Sequence, residues 1–254
     1  MKMKCFFVSL LVVPMAGVTF AEKPQMTQAE LDVYVDREMF KFIHGEDYRS
    51  AIEWLKAKGA TDEMLGRAYA KVARQNLDSS VQRGRKCHRA IEGVANFCNG
   101  EERLTNLLYF AEHVKVDNVR AHAIWLLSRK TTPVNFTAFA ERVVASTNLG
   151  FHAAGALMSG LSESYAKIEP QNMVWKRRII QTLRRHLEVG GKGSAIADHA
   201  LVRHDKTYAK SEFRRKMAER LLDPQRSPLK GNEWIYRQRF EEELRRLLRE
   251  EMKK

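Results

Sequence analysis

The chain has 254 residues, of which 44% are hydrophobic and 30% charged, and its formal net charge is +13. This balance excludes a disordered chain, and the length allows one large domain or two small ones. Only six prolines occur, which leaves little room for a turn-rich β fold.

Met1 to Lys4 carries two positive charges, and Cys5 to Phe20 carries none. Thr19-Phe20-Ala21 places small residues where a signal peptidase reads, before the polar Glu22-Lys23-Pro24. These three parts predict a secretory signal over 1–21, cleaved near Ala21, and an exported mature protein, periplasmic or secreted. Cleavage removes two lysines from the charge total. The apolar run of about 16 residues is short of the roughly 20 that span a bilayer, and Pro14 interrupts it. An uncleaved anchor is the alternative. No later stretch is apolar enough to span.

Helical signals follow in order. Thr27 and Glu30 have the spacing of a capping box, and Leu31, Val35, Phe40 and Ile43 recur behind it. Asp47 is expected to cap a second helix through Ile52 and Leu55, ended by Gly59. Thr61 or Asp62 opens a third, with Leu65, Tyr69 and Val72 on one side. Asp117 is expected to cap a helix through Val119, Ala123, Leu126 and Leu127. Thr132-Pro133 is a cap followed by proline at the first helical position, and Phe136, Phe139, Val143 and Val144 share a face after it. A helix starting near Pro170 carries Trp175, Ile179, Leu183 and Leu187 and stops at Gly190-Gly191. Further helices are expected over 194–203, 206–222 and 232–252. No alternating strand pattern is present.

The short helices and tight connections favour an all-α fold of antiparallel helix pairs stacked as an irregular α-solenoid, with an irregular helical bundle as the alternative. Asp117 to Ser128, reading DNVRAHAIWLLS, resembles the second helix of HEAT-type repeats, and Asn172 to Leu187 is a looser echo. Gly45 to Leu55 resembles half of a tetratricopeptide unit, and Leu65 to Tyr69 its other half. No fixed period runs through the chain. Residues 22–223 read as the helical-repeat-like body. Residues 224–254 read as a linker holding Pro224 and Pro228, then an amphipathic helix striped by Trp234, Ile235, Tyr236, Phe240, Leu244, Leu247 and Leu248.

Catalytic and cofactor motifs are absent from this reading, and no metal or cofactor is expected. Cys87 and Cys98 are a disulfide candidate in an oxidising compartment. Eleven residues of unbroken helix would hold them about 16 Å apart, so a bridge needs a break, with Gly93 the obvious place. Two buried thiols are the alternative. Cys87-His88 with Cys98 is not a zinc or haem-attachment pattern. His199 and His204 lie about 140° apart on a helix and cannot grip one ion. His113, His122 and His152 read as packing histidines. Gly190 to Ser194 lacks the order of a phosphate loop.

Charge gives the functional expectation. From Trp175 to Lys254 there are 22 Lys and Arg against 12 Asp and Glu. Arg177-Arg178 and Arg184-Arg185 lie two helical turns apart, and Lys206, Lys210 and Arg214 follow i, i+4 spacing. Such a face attracts polyanions. The expected function is a binding or scaffold protein that contacts an anionic macromolecule, a protein or another envelope component, in preference to nucleic acid. Two alternatives stand: a helical hydrolase whose histidines and carboxylates meet only in the fold, and an oligomer formed through the last helix, which could also lie on a membrane surface.

Overall fold

The computed structural model describes residues 25–41, 45–78, 81–144, 149–190 and 192–222, together with 241–242, 245–246 and 249. The expected signal segment, the linker with Pro224 and Pro228 and most of the last helix lie outside the described residues. Among the described residues there are eleven α-helices, one 3-10 turn and no strand. The helices are α1 (Gln28–Arg37), α2 (Gly45–Ala57), α3 (Asp62–Gln75), α4 (Val81–Phe97), α5 (Gly100–His113), α6 (Asp117–Lys130), α7 (Pro133–Val144), α8 (Phe151–Lys167), α9 (Met173–Val189), α10 (Ser194–His204) and α11 (Glu212–Leu222). The 3-10 turn spans Tyr208–Lys210. No described helix is long and apolar enough to cross a membrane.

Local chemistry sets several of these boundaries. Thr27 Oγ1 accepts from the Glu30 amide at 3.3 Å, and Glu30 Oε2 accepts from the Thr27 amide at 2.8 Å. That closes the capping box at the start of α1. Thr61 Oγ1 caps α3 by accepting from the Met64 amide, and Thr132 caps α7 ahead of Pro133. Helix α9 ends at Gly190, whose φ of +69° suits glycine and lets its amide reach the carbonyls of His186 and Leu187.

Three expected starts shift. Helix α2 begins at Gly45, so Asp47 lies inside its first turn. Helix α9 begins at Met173 and not at Pro170. The continuous helix expected over 206–222 is broken: the 3-10 turn precedes α11, and Ser211 Oγ accepts from the Arg214 amide.

Asp117 is the first residue of α6, and it does not cap its own helix. Its carboxylate instead accepts from the amides of His152 at 2.8 Å and Ala153 at 3.1 Å, in the first turn of α8. Gly150, at the cap position of α8, supplies no side chain, and a methyl there would sit 2.6 Å from Asp117 Oδ2. One helix thus caps another across the packing seam. Asp117→Ala is expected to cost about 1–2 kcal/mol and Asp117→Asn about half as much, both measured by urea unfolding.

Packing follows a regular neighbour rule. The consecutive pairs α3–α4, α5–α6, α7–α8 and α9–α10 each pack together. Helices α4, α6, α8 and α10 then contact one another in series, while α1 packs on α3 and α7 on α9. Helix lengths vary from 10 to 17 residues, and the fold is all-helical, as an irregular bundle is. One core runs through it, with Leu55, Leu65, Ile91, Phe110, Phe136 and Leu183 all fully buried.

Candidate functional site

The basic third divides into cations paired with carboxylates and exposed cations with no ion-pair partner among the described residues. Arg178 forms a two-point ion pair with Glu141 of α7, its Nε 2.8 Å from Oε1, and its guanidinium lies 4.0 Å from the Trp175 ring. Arg184 Nη2 donates to Asp205 Oδ2 at 2.7 Å. Burial pushes the Asp205 carboxyl up, but hydrogen bonds from Thr207 and the Arg184 guanidinium hold it below its ordinary pKa.

Arg214 corrects the sequence reading outright. It is only 4% exposed, and it meets Asp198, also buried, through Nε to Oδ1 at 3.0 Å and Nη2 to Oδ2 at 2.9 Å. Tyr208 donates to the same carboxylate at 2.7 Å. The i, i+4 stripe of Lys206, Lys210 and Arg214 therefore does not exist, because the chain turns at 205–211 and draws Tyr208 and Arg214 inward onto Asp198. Arg177, Arg185, Lys206 and Lys210 are exposed and have no ion-pair partner among the described residues.

The expected disulfide is also corrected: Cys87 and Cys98 are both free and buried. Helix α4 runs through Gly93 without the break a bridge requires. Cys87 Sγ faces the Ala73 carbonyl at 3.7 Å, whereas Cys98 packs against Gly66 and Asn106. Burial pushes both thiols up to about 11, so neither is a ready nucleophile.

A grouping that sequence reasoning missed lies on the face of α4 toward α6. His88 and Glu92 stand one turn apart on α4, and His122 reaches them from α6. One donor atom from each falls within 4.8 Å of the others. The two imidazoles stack with centroids 3.7 Å apart, and Trp125 stacks on His122 at 5.5 Å. His122 Nε2 lies 3.3 Å from Glu92 Oε1. That is near enough for attraction, yet this buried nitrogen makes no well-aligned hydrogen bond. Contact with His122 holds the Glu92 carboxyl below its ordinary pKa against the effect of burial. Burial and the neighbouring His122 and Arg89 hold the His88 imidazole below its own. The signal was the i, i+4 spacing of His88 and Glu92. The third member is 30 residues further on and comes into range only when α6 packs on α4.

A serine and a histidine also meet. Ser162 Oγ and His204 Nε2 are hydrogen bonded at 2.8 Å, with Tyr165 stacked on the imidazole. Burial and then Arg203 hold His204 below its ordinary pKa. The neighbouring Asp205 is occupied by Arg184 and Thr207. Ser162 sits within α8, where backbone amides donate along the helix and are not offered to an oxyanion. This pair links α8 to α10. No protein-family model, curated protein or solved structure matches the chain.

Proposed function

We propose that this chain is an exported helical binding protein that docks an anionic macromolecule on the exposed cationic ridge beginning on α9. The observation that supports this reading is the division of the basic residues. Arg214 is buried against Asp198, and Arg178 and Arg184 pair with Glu141 and Asp205 at the partly exposed surface, while Arg177, Arg185, Lys206 and Lys210 stay exposed without an ion-pair partner among the described residues. Unpaired like charges on a folded surface act on a polyanion over a Debye length, about 8 Å at physiological salt.

The test is capture by the immobilised full chain from an envelope extract, with stepwise salt elution. A partner retained at low salt and released as salt rises is expected, and replacing Arg177, Arg185, Lys206 and Lys210 by glutamine is expected to weaken retention by about tenfold or more. Arg142→Gln, which breaks only a surface pair with Glu112, is expected to leave retention unchanged. Retention indifferent both to salt and to the four substitutions would remove this reading.

A further inference from the structure

We infer that His88, Glu92 and His122 form a site for one late first-row divalent ion of the zinc, copper or nickel class, clamping α4 to α6. Donor chemistry comes first. Two imidazoles and one carboxylate suit these metals, whereas calcium and magnesium prefer all-oxygen shells. Three protein ligands also leave a coordination position for water or a small ligand.

The geometry agrees. The i, i+4 spacing of His88 and Glu92 puts both donors on one face of α4, one turn apart. His122 completes the set from a neighbouring helix, and all three side chains are half-buried, within reach of solvent. An ion held about 2.1 Å from each donor sets its ligand atoms about 3.4 Å apart in a tetrahedral arrangement. The donors here lie within 4.8 Å of one another, so a displacement of about 1–1.5 Å completes the shell. Stacked imidazoles send their lone pairs side by side, and coordination requires the rings to turn until those lone pairs converge. The terminal torsion of histidine is soft enough for that.

A second observation points to a ligand independently of the spacing. His122 Nε2 is buried and makes no hydrogen bond of acceptable alignment, although Glu92 is within 3.3 Å. Buried polar atoms in folded proteins nearly always have a partner. An ion bound between His122 and Glu92 satisfies that nitrogen. The site is separate from the cationic ridge, so its test does not depend on the docking reading.

The experiment uses the full chain without a polyhistidine tag, freed of metal by chelation and dialysis. Zn²⁺ is titrated by calorimetry and Co²⁺ by visible absorption, where a four-coordinate shell gives intense d–d bands. One equivalent is expected to bind, with the apparent melting temperature rising as Zn²⁺ is added. His88→Ala and His122→Ala are each expected to weaken Zn²⁺ binding at least about 100-fold, beyond the 10–100-fold that loss of an outer-shell partner brings. Glu92→Gln is expected to weaken it and to change the Co²⁺ spectrum. Cys87→Ser and the exposed-histidine variants His113→Ala and His152→Ala are expected to bind as the parent does. Circular dichroism of each metal-free variant checks folding, and His88→Asn and His122→Asn replace any alanine variant that does not fold. The inference is overturned if the parent binds no single equivalent, if the variants at 88 and 122 bind as the parent does, or if Cys87→Ser abolishes binding.

Discussion

Replacing Asp198 by alanine is expected to cost about 3–5 kcal/mol of folding stability, because it removes the buried carboxylate that accepts two hydrogen bonds from the Arg214 guanidinium. Both members of this pair are only 4% exposed, and the carboxylate also accepts from Tyr208, so water cannot easily replace the lost partner. For a domain of this size each kcal/mol shifts the melting temperature by about 2–4 °C, giving a fall of about 6–20 °C. Arg214→Met is expected to be similarly harmful, since it strands the carboxylate. The double variant Asp198→Leu with Arg214→Met separates mechanisms. Replacing a whole buried ion pair with apolar groups is often neutral, so it is expected to recover most of the loss. Thermal unfolding followed by circular dichroism reads all three. A single Asp198→Ala change that cost under about 1 kcal/mol would mean Arg214 regains water, and α11 would not be held in the manner described.

The second large effect is expected at Gly93, where two contributions of opposite sign compete. Alanine is favoured over glycine inside a helix by about 1 kcal/mol, and Gly93 lies within α4. A methyl built there, however, falls 2.5 and 2.6 Å from Cδ1 and Cδ2 of Tyr69. That ring cannot step aside. It is 1% exposed, stacked on Phe97 at 5.7 Å, met edge-on by Phe40 at 6.3 Å, and hydrogen bonded to the Tyr48 hydroxyl at 3.0 Å. Overpacking of this kind costs about 1–3 kcal/mol or more. Gly93→Ala is therefore expected to destabilise by up to about 2 kcal/mol net in urea unfolding. In a Tyr69→Ala background the clash is gone and only helix propensity remains, so the same change is expected to stabilise by up to about 1 kcal/mol. An unchanged sign in the two backgrounds would sink the packing explanation.

These two sites show where sequence reading succeeds and where it stops. The capping box of Thr27 and Glu30, the Thr132-Pro133 start and the stop at Gly190 were legible because each depends on residues at most four apart. Gly93 was singled out by sequence as the place for a helix break. Its actual role is to admit the Tyr69 ring from another helix, and no local pattern encodes that. Asp117 was legible as a cap, but α6 directs it to α8. The charge periodicity of Lys206, Lys210 and Arg214 presumed a continuous helix, and the turn at 205–211 removed that premise. His88 and Glu92 carried a readable spacing, yet one helical pair has no third ligand until another helix supplies it.

By itself, then, the amino-acid order determined the helical class, the apolar faces of the helices it marked, several helix ends and the concentration of positive charge after Trp175. All of these follow from backbone hydrogen bonding and side-chain periodicity within a few residues. Tertiary structure alone decided which arginines meet a carboxylate and which do not, that the two thiols stay apart, and that two histidines and a glutamate converge. Those outcomes depend on which helices pack together, and a charge or donor atom acquires its partner only when two distant segments are brought within a few ångströms.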